Sequence, residues 1–150
     1  MKIHNVKEID SMLIWNWRND IETRMMSRNS EIIKWEDHKL WLTNKLNDLE
    51  DKLYIFKEEQ IPIGIVIFSK LNTNKFEISI NINPELRSKG YGNKLLMLAL
   101  KKFEKDNINE YTIIATIKKI NKKSQSLFLK MLFKLEGSDD EYLYYSLVSK

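Results

Sequence analysis

The segment Ile82-Asn83-Pro84-Glu85-Leu86-Arg87-Ser88-Lys89-Gly90-Tyr91-Gly92-Asn93-Lys94 joins an alternating strand to an amphipathic helix through a basic, glycine-bearing loop. Upstream, Phe76, Ile78, Ile80 and Ile82 alternate with Glu77, Ser79 and Asn81. Side chains on a strand point to opposite faces in turn, so Phe76–Asn83 is predicted as a half-buried strand. Downstream, Leu95, Leu96, Ala99, Leu100 and Phe103 share one helical face, which predicts a helix over about Gly90–Lys105. Glycine lets the loop backbone adopt positive φ and approach a ligand closely. The first amides of the helix, reinforced by its dipole, then form a site suited to phosphate or pyrophosphate. A plain helix start with a basic entry loop fits the same local pattern. The segment is not a GxxxxGK[ST] phosphate loop and lacks the full GxGxxG fingerprint.

Outward from this segment the chain reads as alternating helices and strands. Ile9, Leu13, Trp17 and Ile21 predict a first helix over about residues 7–18. Trp35, Trp41, Leu42, Leu46 and Leu49 predict a second from about Trp35 to Leu49. Leu53–Lys57, Ile61–Ser69 and Phe76–Asn83 predict a three-stranded antiparallel meander, with turns at Glu58-Glu59-Gln60 and Leu71–Lys75. Tyr111–Lys118 is a further strand and Lys122–Leu132 a further helix, carrying Leu127, Phe128 and Met131 inward. Phe133–Glu136 and Tyr142–Val148 close as a hairpin around Gly137-Ser138-Asp139-Asp140. The expected class is α/β (α+β) with a mixed, largely antiparallel sheet. No repeat or linker interrupts residues 1–150, so one domain is expected.

Composition narrows the chemistry. Cysteine is absent, which excludes disulfides, thiolate metal sites and cysteine nucleophiles. His4 and His38 are the two histidines, too few for a multi-histidine metal site, so no metal is expected. The net charge of +4 permits an anionic ligand, while lysines interleaved with acids give no nucleic-acid stripe. Met1–Asp10 is charged and no apolar run reaches membrane-spanning length, so neither a leader nor a membrane anchor is expected and the expected address is cytoplasmic.

Arg87-Ser88-Lys89-Gly90-Tyr91-Gly92 resembles motif A of the GNAT N-acetyltransferases, (Arg/Gln)-x-x-Gly-x-(Gly/Ala). Asn121-Lys122-Lys123-Ser124, followed by Leu127-Phe128-Leu129-Lys130 and Phe133, is similar to that family's Asn-x-x-Ser-x-x-Leu-(Tyr)-x-Lys-x-Gly-Phe segment. The order of elements matches over nearly the whole chain. The resemblance implies a GNAT-like sheet flanked by helices, with two N-terminal helices walling the acceptor site. It implies acetyl-CoA as cofactor, with coenzyme contacts at Ile80, Asn81, Ile82, Arg87, Ser88, Lys89, Gly90, Tyr91, Gly92, Asn93, Lys94, Asn121, Ser124 and Phe128. It also implies that a backbone N–H near Ile82 faces the thioester oxygen. Two residues depart from the pattern. Leu132 replaces a common glycine, read as a packing change. Phe128 stands where many members have a tyrosine that protonates the leaving thiolate.

The N-terminal third, Trp17-Arg18-Asn19, Met25-Met26, Glu36-Asp37-His38 and Trp41, is similar to a pattern of N-acetyltransferases acting on nucleotide-linked 4-amino-sugars of the pseudaminic acid pathway type. It also echoes ribosomal-protein and spermidine acetyltransferases. A guanidinium binds oxyanions bidentately, so Arg18 is the candidate phosphate clamp, with Trp17 or Trp41 as stacking platforms and Asn19 and His38 beside them. Both tryptophans lie on apolar stripes, which favours core roles over platforms, and a helix-end role for Arg18 also fits. Arg24 and Arg28 read as solvated. Direct amine attack on a thioester needs a proton acceptor, for which Glu77 comes first, through water, and His38 second, with Ser79 on the same polar strand face.

The expected partner is a small-molecule amine, with the chain a monomer or homodimer. A basic acceptor cleft favours a sugar nucleotide and an acidic one a polyamine. A non-catalytic acyl-CoA-binding module is the reading that Phe128 keeps open.

Overall fold

Leu53–Phe56 and Ile63–Phe68 are apolar with one glycine between them, so their strands must be covered on both faces. A computed structural model describes residues 1–150 and shows that cover. The elements are β1 (Lys2–Asn5), α1 (Ser11–Asn19), α2 (Ile21–Met26), α3 (Trp35–Asn47), β2 (Lys52–Glu58), β3 (Ile61–Asn72), β4 (Lys75–Ile82), α4 (Tyr91–Asp106), β5 (Thr112–Lys118), α5 (Lys122–Lys130), β6 (Lys134–Ser138) and β7 (Tyr142–Val148). The sheet runs β1-β2-β3-β4-β5-β7-β6, antiparallel throughout except for the parallel pair β4–β5. This is the mixed, largely antiparallel sheet that the sequence predicts.

The two faces bury different sets. Tyr54, Phe56, Val66, Phe68, Phe76 and Ile78 pack with Leu95, Leu96, Ala99 and Phe103 of α4 and Phe128 of α5. Leu53, Ile55, Ile65 and Ile67 face the other way, against Ile14 and Trp17 of α1 and Leu42 of α3. Phe103 centres the larger core, stacked on Phe68 and edge-on to Phe76 and Tyr111. Helix α4 therefore covers one face, and the N-terminal helices cover the other.

Several boundaries differ from expectation, each for a local reason. Strand β1 was not expected. It is held at the sheet edge by its register with β2, Lys2 opposite Lys57 through Asn5 opposite Tyr54. The first helix starts later, at Ser11, behind a short turn at Glu8–Asp10. It stops at Asp20, whose extended ψ of 134° breaks it and whose side chain caps α2 by accepting from the Thr23 amide. Ile9 and Ile21, expected on the first helix's buried stripe, are exposed, while Ile14 is fully buried. Leu49 lies beyond the end of α3 and is also exposed.

Leu132 is corrected as well. It terminates α5 with φ 68° and its side chain faces solvent, so the substitution is one of backbone, not of packing. The Phe133 amide donates back to the Phe128 carbonyl across it at 3.1 Å, a six-to-one closure usually made over glycine. A left-handed L-residue costs roughly 1–2 kcal/mol, partly offset by glycine's extra freedom in the unfolded chain. Leu132→Gly is therefore expected to stabilise the protein by about 0.5–1 kcal/mol, read as a rise in urea midpoint at unchanged slope.

Candidate active site

The site begins where β4 and β5 separate. Their parallel register holds for Lys75–Thr112, Phe76–Ile113 and Glu77–Ile114 and then ends. Strand β4 continues to Ile82 paired to β3, and β5 continues to Lys118 paired to β7. A wedge opens between them, continuous with a cavity of about 900 Å³. Gly64 supports the wedge from behind. A Cβ there would sit 2.7 Å from both the Asn81 carbonyl oxygen and Leu95 Cδ2, so β4 and α4 approach as closely as they do because the residue is glycine.

Ser79, Ile80, Asn81 and Ile82 line the cavity from β4. Ser88, Gly90, Tyr91, Gly92 and Asn93 line it from the loop and the start of α4. Ser88 and Gly90 have φ of 62° and 82°, the left-handed turns that shape an anion-binding backbone. No side chain caps α4, so its first amides are free for a ligand. Helix α5, by contrast, is capped by Asn121, which accepts from the Ser124 amide at 3.2 Å. Asn121, Ser124 and Phe128 form the opposite wall. Free amides, two left-handed turns and an unpaired strand edge suit a pyrophosphate followed by an amide-bearing arm.

Three coenzyme-side expectations are corrected in their side chains. The Arg87 guanidinium turns to α2, where it pairs with Asp20 and, at 2.8 Å, with Glu22, and donates to Thr23. The carboxyl of Asp20 is accordingly held below its usual range, despite an opposing desolvation effect. Lys94 points away from the cavity and pairs with Glu58 at 3.3 Å. Lys89 is exposed and does not line the cavity.

The remaining wall of the cavity is built by the N-terminal elements. Arg18 and Trp41 line the cavity, with the guanidinium carbon 3.9 Å from the Trp41 ring centroid. Arg18 forms no ion pair with a carboxylate. Burial pushes its pKa down. Trp17 is a core residue, packed with Ile14 and Leu42 away from the cavity, and is not a platform. Asn19 is a clamp. Its side chain donates to the Ile33 carbonyl and accepts from the Ile33 amide, fixing the segment between α2 and α3.

His38 is completely buried and does not line the cavity, so it touches neither substrate nor a reacting atom. Its Nδ1 accepts from Arg18 at 3.0 Å, since arginine only donates, and its Nε2–H donates to the Ser11 carbonyl at 2.8 Å. It positions Arg18. Burial is the main cause that pushes its pKa down, opposed by the Ser11 bond and aided by the Arg18 charge.

Glu77 lines the cavity as expected, but with both oxygens engaged. Arg28 donates to them at 3.1 and 2.8 Å, and Thr116 Oγ1 donates to Oε2 at 3.0 Å. Sequence reading missed Arg28, Thr116 and Thr23, and also Lys118, which is buried and donates to the Met25 carbonyl at the end of α2. Thr23 sits in a local cap with Asp20, but the partners that bring these residues to the site lie far off in the chain.

The cavity, the separated strands and the uncapped helix define a coenzyme-dependent group-transfer site. Residues 9–133 match the Acetyltransferase (GNAT) family, and the chain belongs to it. It is an acetyl-CoA-dependent N-acetyltransferase. The chain is 29% identical to the acetyltransferase PseH of Campylobacter jejuni over 150 residues, covering 96% of this chain and 91% of the relative. A solved domain from Methanocaldococcus jannaschii superposes with a TM-score of 0.80 at 26% identity, covering 99% and 97% of the two chains. Spermidine N-acetyltransferase from Vibrio cholerae, in complex with CoA and spermine, superposes with a TM-score of 0.85 at 17% identity, covering 98% and 94%, a likeness of fold. No helix is long and apolar enough to cross a membrane.

The His38 environment has a pH consequence. Its folded pKa lies below the unfolded value of about 6.5. Between those values the unfolded chain binds more protons, so stability falls as pH falls below about 6.5 and is fully present above it. Urea titrations at stepped pH are expected to show this loss in the wild type. The slope should be shallower in His38→Gln, which removes the titrating group.

Proposed function

We propose that the acceptor is the primary amine of a nucleotide-linked aminosugar. The observation that carries this reading is Arg18, a cavity-lining guanidinium stacked on Trp41 without a carboxylate partner. Six basic residues line the cavity (Arg18, Arg28, Arg87, Lys122, Lys123 and Lys130) against two acids, Glu22 and Glu77. Both acids are already paired, Glu22 with Arg87 and Glu77 with Arg28. A polyamine would meet carboxylates already held by arginines, while a phosphate would meet a guanidinium that has no carboxylate partner. The likeness to PseH and the Trp-Arg-Asn, Met, His and Trp pattern of the N-terminal third support the same acceptor.

When bound, acetyl-CoA supplies an acetyl thioester. The amides of Ser88–Asn93 would hold its pyrophosphate, and the unpaired β4 edge at Ile80–Ile82 would hold its amide-bearing arm. Arg18, set by His38 and backed by Trp41, fixes the acceptor's phosphate and so aims its amine at the wedge. Glu77 takes the amine's proton through water. A backbone N–H near Ile82 would supply a hydrogen bond to the thioester oxygen. Phe128, edge-on to Phe133, offers no proton. A thiolate is a far weaker base than an alkoxide, so it can leave unprotonated and take its proton from solvent.

Mass spectrometry after incubation with acetyl-CoA and a panel of UDP-4-amino-sugars, spermidine and N-terminal peptides tests this proposal. Acetylation of a sugar nucleotide is the expected result, and acetylation of spermidine alone overturns it. Arg18→Ala is expected to raise the KM for the sugar nucleotide about tenfold to hundredfold. Acetyl-CoA affinity by calorimetry should stay unchanged, and Arg18→Lys should recover part of the loss.

A further inference from the structure

Arg28 and Glu77 face each other across the acceptor end of the cavity. Arg28 belongs to the segment 27–34 between α2 and α3, which has no regular structure, and Glu77 to β4. The guanidinium covers both carboxylate oxygens. Arginine does not give up its proton in proteins, so it cannot relay one. Glu77 in this arrangement is shielded as a proton acceptor, and Arg28 must leave before Glu77 can act.

The two partners are unequally held. The Arg28 side chain is 61% exposed and that of Glu77 is 25% exposed. The arginine end of the pair therefore lies mostly in solvent, where water and salt compete for the guanidinium. Glu77 stays in place, on a paired strand and hydrogen-bonded by Thr116. The pair is therefore a fixed carboxylate with a removable cation.

We propose that Arg28 holds the place of the acceptor's ammonium on Glu77, as a positioning residue that the incoming amine displaces. The inference rests on the reading of Glu77 as proton acceptor. One cation replaces another, so the exchange leaves the local charge unchanged. The ammonium then passes a proton to Glu77 through water, and its nitrogen bonds the acetyl carbon. The carbon–sulfur bond breaks, the thiolate takes a proton from solvent, and the second amine proton and the Glu77 proton leave to solvent. The amide product carries no charge at that nitrogen and cannot compete for the carboxylate. Arg28 returns, which favours product release. Before the acceptor arrives, the same pair keeps Glu77 from activating water against the thioester.

Acetyl-CoA hydrolysis without any acceptor tests this directly, read with a thiol reagent. The chain has no cysteine, so every thiol detected is coenzyme. Arg28→Ala is expected to raise hydrolysis at least about fivefold, with Arg28→Lys between it and the wild type. Adding Glu77→Gln to Arg28→Ala should abolish the rise. An unchanged or lower rate at equal coenzyme affinity overturns the inference. So does a tenfold or larger rise in sugar-nucleotide KM without added hydrolysis, roughly what loss of a phosphate clamp would give. Where Arg28→Ala does not fold, Arg28→Gln keeps the aliphatic stem and carries the same reading. A rise in hydrolysis from a protein that acetylates no sugar nucleotide upholds this inference and removes the proposed acceptor. Full transfer activity in Glu77→Gln removes the proton-acceptor reading and this inference together.

Discussion

The parallel pairing of β4 with β5 lasts three residues, and the architecture of the site follows from where it stops. Each strand keeps its antiparallel partner on the far side, β3 for β4 and β7 for β5, so the separation removes one ladder without loosening either strand. The backbone groups that face the gap still need partners, because unpaired backbone polar groups are costly away from water. A ligand arm carrying amides meets that need along the edge of β4. The loop after Ile82 delivers α4 with its first amides uncapped at one end of the same gap, and β5 leads into the capped α5 at the other. Cleft, anion site and far wall are thus consequences of a single interrupted ladder.

The parts of the fold that were legible in sequence are those where one face is buried. Strict alternation from Phe76 to Ile82 and the apolar face of α4 gave the correct elements to within a residue or two. The elements that were missed have no such face. Strand β1 has three exposed residues of four and owes its place to pairing with β2. Helix α2 buries no residue and exists because Asp20 caps it and Arg87 and Lys118 bind its two ends. The four-residue spacing of Ile9, Leu13, Trp17 and Ile21 was compatible with one helix, but Asp20 offered a side-chain cap that competes with helix continuation.

The site was legible on one side. The wall at β4 and the start of α4 is shaped by backbone, and positive φ, glycine and a helix start leave local marks in a sequence. The wall beside α2 is made of side-chain pairs distant in the chain. Arg28 and Glu77 are 49 positions apart, and Arg87 and Thr23 are 64 apart. Composition marks these residues as charged but does not say which charge neutralises which. Hence Arg28 read as a solvated cation, and His38, whose two nitrogens are both satisfied inside the helical layer, read as a candidate base.

Orientation supplies much of the rate when two reactants meet in one cleft, so the spacing of the cleft walls is what the fold must hold. The short helix α2 contributes Glu22, Thr23 and Met26 to one of those walls. Its N-terminal residues are bound by Arg87 from the coenzyme loop, and its C-terminal carbonyl at Met25 is bound by Lys118 from β5. An element with no buried residues is thereby fixed from both borders of the cleft. The same loop that offers free backbone amides to the cavity therefore fixes α2 through its arginine. This gives a physical reason for an arginine in the loop whose charge is spent on α2. It also explains how a common scaffold can change acceptors: the wall is joined to the coenzyme site by ion pairs, which sequence change can re-pair without disturbing either core.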